Sequence, residues 1–421
     1  MIWVLIGACV AATVPAGLRW LRVAQREHYL PPAVATFAGR WWTSQPVNVA
    51  LLAAMMIGLV GSWWNPWWGL LVPAAQIGPI GLSIKGRTSP LSWTGRMRRL
   101  AIVAGTLLAA LYGFGAAFDS AFFVAVGLFL LPAVIDLALV LLGPVERWLG
   151  EKWVVKAADR LSSSGAKVVA ITGSYGKTTT KHYAAHILSE AFRTVASPAS
   201  FNNRMGLARA INDHLGPGSE VFVAEMGTYG PGEIADLCQW VKPDVSAIVA
   251  IGPVHLERFK SEENILAAKS EILEGADVGV IAIDHPLLQG LAKSKAEAAM
   301  ELVTVSAGRA DATIKVEDGH LLVDGRPLGP IPDGVFAVNL GVAVGIARAL
   351  GMSPDQIMPR LRNLPHPEHR QTVATSDRGV AIIDDTYNSN PAGARKALDT
   401  LTQIGAGGRK VVVTPGMVEL G

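Results

Sequence analysis

The feature that most constrains this chain is the near absence of charge from its first third. Before residue 145 it carries nine Lys or Arg and three Asp or Glu, whereas charges of both signs are dense after residue 150. Apolar stretches at 1–21, 46–63, 66–84, 100–118 and 121–143 each approach the length of about 20 residues that spans a bilayer as a helix. Ten of the twelve tryptophans fall between Trp3 and Trp148, as suits a residue that prefers the headgroup layer. The pattern predicts an α-helical transmembrane domain of five spans over 1–148, followed by a soluble part.

Basic residues orient those spans. Arg22, Arg26 and Arg40 follow the first stretch, and Lys85, Arg87, Arg96, Arg98 and Arg99 follow the third, whereas the turns "SWWNPWW" and "AFDSA" have no basic residue. By the positive-inside rule both basic loops are cytoplasmic, so an odd number of spans starts outside and delivers everything after residue 150 to the cytoplasm. The first stretch has no basic residue ahead of it, the wrong order for a cleaved signal peptide. Asp136, at membrane depth, is either a functional group or the partner of a polar neighbour such as Gln76. Pro73 and Pro79 are expected to kink the third span. The only cysteines, Cys9 and Cys238, build no disulfide framework or zinc site, and a net charge of +3 gives no footprint for nucleic acid.

Beyond residue 150 the pattern alternates. "KVVAI" reads as a buried strand, 177–190 as a helix, "VFVAEMG" as a strand, "GEIADLCQWV" as a helix and "VSAIVAI" as a strand, which implies a parallel α/β sheet covered on both faces. Between the first strand and helix stands "GSYGKTT". Gly173 and Gly176 let the backbone curl so that its amides face phosphate oxygens, Lys177 reaches the β and γ phosphates, and the Thr178 hydroxyl suits magnesium. With Ser174 and Thr179 these residues form the candidate nucleotide loop. The standard phosphate loop has a further glycine where this chain has Ile171, so the motif alone leaves a structural glycine turn as the alternative. Glu225 ends the "VFVAE" strand, where it can hand a carboxylate to a metal beside Thr178.

"ITGSYGKTTTK", "SFNNRMG", "VAEMGTYGPGEIADLCQWVKPDVSAIVAIGPVHLERFKSEENILAAKSEI" and "IIDDTYNSNPAGARKAL" occur in this order and resemble the Mur ligases, most closely the D-alanyl-D-alanine-adding (MurF) type. The likeness runs from about residue 167 onward. It implies an ATP- and magnesium-dependent enzyme of bacterial cell-wall synthesis that phosphorylates a carboxylate and joins the acyl phosphate to the amine of an amino acid or dipeptide. It implies His255 as a second metal ligand, where residue type alone suggests a core histidine. Lys269 matches a lysine that the family carbamylates with carbon dioxide to bridge magnesium; by spacing alone it would be a surface lysine. Asn202 and Asn203 match substrate and nucleotide contacts. Arg370, Asp385 and Asn388, with Asp384 and Tyr387, match the junction and start of the family's third domain.

The resemblance divides the chain into the membrane domain 1–148, a central ATP-binding domain 149–375, and the beginning of a Rossmann-like C-terminal domain at 376–421. Two positions depart from the family: Ala282 replaces an amide near the adenine, and Val335 replaces a histidine. Members acting on UDP-linked muropeptides carry a uridine-binding domain where this chain has its apolar stretches. The expected acceptor is therefore a membrane-bound, lipid-linked muropeptide, with Arg96, Arg98 and Arg99 placed to hold its pyrophosphate. The alternatives are a poly-γ-glutamate-type amide ligase and a membrane P-loop ATPase or scaffold without ligase activity.

Overall fold

The computed structural model describes residues 1–85, 90–198, 201–254, 256–332, 334–365, 372–376, 379–384, 391–404 and 408–414. The chain resolves into two compact units, Met1–Glu151 and Lys152–Gly421.

The first unit is helical. Its elements are α1 (Ile2–Arg26), α2 (Ala33–Thr43), α3 (Pro46–Gly61), a 3-10 turn (Pro66–Leu70) running into α4 (Leu71–Ala75), α5 (Gly95–Ala117), α6 (Ala121–Phe129) and α7 (Leu131–Ser164), the last extending past residue 151. Leu5, Cys9, Trp20, Met55, Val72, Leu100, Leu128 and Ile135 lie in its core. By length and composition α1 and α5 could each cross a bilayer. Two further candidates are bent pairs, α2 with α3 at 112° and α6 with α7 at 69°. The count is thus two to four among the described residues, where the sequence suggested five.

The missing helix is the third apolar stretch. Only Pro66–Ala75 is helical there; the chain then runs without helix to Lys85. Leu5 lies against Gly69 and Arg19 against Gly78, so the stretch accompanies α1 along about 21 Å of its axis. Non-helical backbone is tolerated among apolar helices where protein partners satisfy it. Arg19 donates to the carbonyls of Ile77 and Gly78, Trp41 Nε1 and Asn48 Nδ2 donate to the carbonyl of Ile80, and Ile80 N–H donates to Asn48 Oδ1 at 2.6 Å. Asp136 and Gln76 do not pair. Asp136 accepts from the Val34 and Ala35 amides, at 3.2 and 2.7 Å, where the first turn of α2 leaves amides unsatisfied. Gln76 instead donates to the Leu128 carbonyl at 3.1 Å.

The second unit is α/β. In order it contains β1 (Lys167–Thr172), α8 (Lys177–Leu188), β2 (Thr194–Ala196), α9 (Arg204–His214), β3 (Val221–Glu225), α10 (Glu233–Val241), β4 (Val245–Ile248), α11 (Leu256–Phe259), α12 (Glu262–Ser270), β5 (Val278–Ala282), α13 (Pro286–Glu297), β6 (Glu301–Ser306), β7 (Ile314–Glu317), β8 (His320–Val323), β9 (Arg326–Pro330), α14 (Ala337–Ala349) and α15 (Pro354–Ile357). The nine strands form one sheet in the order β2-β3-β1-β4-β5-β6-β7-β8-β9, parallel through β7 and antiparallel from β7 to β9. Period-2 alternation buries both faces of β1: Val169 and Ile171 join the core beneath α8 and α14, and Val168 and Ala170 join the opposite core with Phe222 and Ala224. After β3 the chain passes over β1 to reach β4, so the order reverses there. A crevice opens beyond the strand ends at such a switch point, and the Gly173–Thr179 loop lies there. Beyond residue 371, β10 (Thr372–Thr375) and β11 (Ala381–Asp384) form an antiparallel pair, and α16 (Pro391–Gln403) follows.

Candidate active site

The loop from β1 to α8 is held open by its glycines. Gly176 has φ +77°, a left-handed value, and a Cβ there would stand 2.8 Å from the Asn339 amide and 2.9 Å from Val249 Cγ1. Gly176 also N-caps the twelve-residue α8 without any side-chain cap, a helix start of the kind that suits an anion. Ser174 pins the loop to the chain leaving β4: its N–H donates to the Ala250 carbonyl at 2.7 Å, and its hydroxyl donates to the Gly252 carbonyl at 3.1 Å. Ile171, in place of the extra glycine, is still strand. It is fully buried and pairs in register with Glu225, so the turn begins later than in the standard loop.

Lys177 curls back, donating from Nζ to the Gly173 carbonyl at 2.7 Å. One helical turn later Lys181 projects from the same face and is completely buried, its Nζ 3.1 Å from Glu225 Oε2. Glu225 is 3% exposed and accepts from Asn202 Nδ2 at 3.3 Å. Burial alone would raise its pKa. The charges of Lys181 and Lys177, with hydrogen bonding from Thr178, outweigh burial and hold the carboxyl below its ordinary range. Lys269, near the end of α12, is 3% exposed, which corrects the surface placement its spacing suggested. Burial first, and then the Lys177 charge, drives its pKa well below that of a free lysine.

Lys177, Thr178, Glu225, Lys269 and Asn202 therefore gather around one locus, with Ser174 and the two glycines shaping it. Thr179 is buried in the first turn of α8. Asn203 does something else: its Oδ1 accepts from Gly206 N–H at 3.0 Å and N-caps α9. His255, Arg370, Asp385, Tyr387 and Asn388 lie outside the described residues. Among the described residues no cluster of three His, Cys, Asp or Glu forms, and Glu225 with Thr178 supplies the hard oxygen donors. Sequence reading missed Lys181. Its signal was the i,i+4 spacing from Lys177 on a helix whose remaining inward residues are apolar or hydroxylic.

A buried pair costs most when one partner is removed. Lys181→Met should destabilise the protein by about 3 kcal/mol, and adding Glu225→Gln should recover most of that loss. Thermal melting of the two variants checks it, and a double variant no more stable than the single one would remove the pair from the account.

Residues 171–340, which run from the end of β1 into α14, match the family described as the Mur ligase middle domain. This part of the chain is similar to the middle domain of the Mur ligases. The UDP-N-acetylmuramoyl-tripeptide–D-alanyl-D-alanine ligase of Bacillus subtilis (strain 168) is 29% identical over 267 residues, covering 62% of this chain and 58% of its own length. The enzyme of the same name from Mycobacterium bovis is 31% identical over 297 residues, covering 64% and 56%. The chain thus spans a little over half the length of these relatives. Among solved structures, MurF from Acinetobacter baumannii superposes with a TM-score of 0.57 at 28% identity over 65% of this chain and 62% of its own. The MurF ligase from Thermotoga maritima in complex with ADP gives 0.53 at 26% identity, covering 65% of each chain. Within the matched residues Ala282 closes β5 and Val335 precedes α14, both buried.

Proposed function

We propose that this chain is a membrane-anchored, ATP-dependent amide ligase of bacterial cell-wall precursor synthesis. It phosphorylates a carboxylate and couples the acyl phosphate to the amine of an amino acid or dipeptide. The observation that carries this reading is a charge imbalance. Lys177 and Lys181 both act on the one carboxylate of Glu225, with Lys269 beside Lys177, in a buried site at an uncapped helix N-terminus. A triphosphate and an acyl phosphate are the anions such a site suits. The relatives named above support it, and the ADP of the Thermotoga maritima protein supports the nucleotide class.

The residues also fit magnesium. Glu225 Oε2 is closed to solvent with Lys181 Nζ 3.1 Å away, and Thr178 is on the same carboxyl. Glu225 and Thr178 would hold the ion, which supplies charge neutralisation between phosphates. Lys177 aims at the transferred phosphoryl group, Ser174 fixes the loop amides, and Asn202 orients the Glu225 carboxyl. Lys269, its pKa lowered by burial and by the Lys177 charge, more readily offers the unprotonated amine that carbon dioxide needs to form a carbamate, an anion that would complete the metal's charge balance.

The acceptor proposed is a lipid-linked muropeptide, on the strength of the apolar helices of Met1–Glu151 and the basic residues beside them. Full-length protein in nanodiscs should prefer a lipid-linked muropeptide over its UDP-linked counterpart at equal concentration, read as ATP-dependent amide formation. A clear preference for the soluble UDP substrate would reduce the apolar helices to an anchor.

A further inference from the structure

The C-terminal end of α1 carries Arg19, Arg22 and Arg26 at i, i+3 and i+7, a spacing that stacks them on one helix face. Their surroundings differ. Arg19 is taken up by the Ile77 and Gly78 carbonyls, and exposed Arg26 lies over the Phe37 ring, 5.6 Å from its centre. Arg22 is 7% exposed and makes no hydrogen bond or ion pair with any described residue. Its Nε is shut off from solvent with no acceptor, and the charges acting across it are those of Arg19 and Arg26, of its own sign.

Two of the three neighbouring arginines that the sequence offered for a pyrophosphate are otherwise engaged. Arg99 makes a two-pronged pair with Glu146, at 2.6 and 2.8 Å, and Arg96 lies over the Tyr29 ring at 4.3 Å. Arginines that serve only to orient a helix stand mostly in water; Arg22 is largely covered, its Nε closed to solvent. A largely covered guanidinium flanked by like charge is costly unless an anion joins it, and its planar fork of donors matches a phosphate.

We propose that Arg22, assisted by Arg26, binds a phosphate group at the end of α1, and that the phosphate belongs to a lipid head group. The geometry gives each arginine a part. Arg26, exposed one turn further on, meets the anion first, and Arg22 receives it in the protein interior, where a charge-assisted bond is stronger than at the surface.

The test is thermal melting of the full chain in nanodiscs of phosphatidylcholine, of phosphatidylcholine with phosphatidylglycerol, and of phosphatidylcholine with added inorganic pyrophosphate. In pure phosphatidylcholine, whose phosphate is already paired with its own choline cation, Arg22→Gln should melt above the parent, because the covered, unpaired charge is gone. With phosphatidylglycerol the order should invert. Lys293→Gln, which removes an exposed charge on α13, should keep the parent's response. Titrated pyrophosphate should bind Arg22→Gln about tenfold or more weakly than the parent. An Arg22-dependent gain from phosphatidylglycerol that pyrophosphate fails to give assigns the phosphate to lipid. A gain from pyrophosphate equal to that from lipid assigns the site to soluble phosphates and overturns the lipid part. Equal responses of parent and Arg22→Gln in every arm overturn the site itself.

Discussion

Lys177→Ala is expected to lower ATP-dependent amide formation by about a hundred- to a thousandfold, the usual loss on removing one donor aimed at developing charge. The fold should survive the change. Lys177 contributes one internal bond to the loop, to the Gly173 carbonyl, whereas the Ser174 bonds to Ala250 and Gly252 hold the loop to the β4 end independently. Glu225 also keeps Lys181 at 3.1 Å. The comparison requires melting curves beside product analysis with labelled ATP. A folded Lys177→Ala protein that still ligates at the parent's rate would sink the assignment of this loop to the nucleotide.

The second large effect belongs to Lys269. If its carbamate balances the metal site, Lys269→Ala should be nearly inactive and should regain part of its activity with a short carboxylate, such as acetate, in the vacated space. Full activity of Lys269→Ala removes the carbamate from the mechanism. The same residue predicts a stability signature with the opposite sign. Its pKa is lower in the folded protein than in the unfolded chain, so between the two values, up to the ordinary lysine pKa of about 10.4, the folded amine gives up its proton first. The unfolded chain therefore binds the extra proton, and stability rises with pH through that window. Freed of carbon dioxide and nucleotide, Lys269→Met should melt above the parent near neutral pH, with the gap closing as pH approaches 10.4. A constant gap would mean that Lys269 is charged in the folded protein.

These residues also mark how far the sequence could be read. The β1–α8–β3–α10–β4 core was legible because its strands are short apolar runs bounded by turn residues, and because the glycines at 173 and 176 mark a tight loop between strand and helix. The antiparallel β7-β8-β9 extension was not, since its half-exposed strands alternate weakly and sit among turns. Composition overcounted the helices in the first unit. Hydropathy registers that 66–84 is apolar but not that its carbonyls at 77, 78 and 80 are held by Arg19, Trp41 and Asn48 instead of by helix bonds. Asp136 was rightly singled out but given the wrong partner, because backbone amides of a helix start leave no trace in residue types. Lys269 shows the same limit: spacing placed it on a surface, and only tertiary packing buries it.

The two rims of the nine-stranded sheet carry one more consequence. A sheet edge offers unpaired amides and carbonyls to any other extended chain, and association through such edges is a common route to aggregation. Here one rim is β2, three residues long, and the other is β9, "RPLGP", in which Pro327 and Pro330 have no N–H to give. Neither rim can template a continuous ladder, so this sheet should resist strand-to-strand assembly between copies.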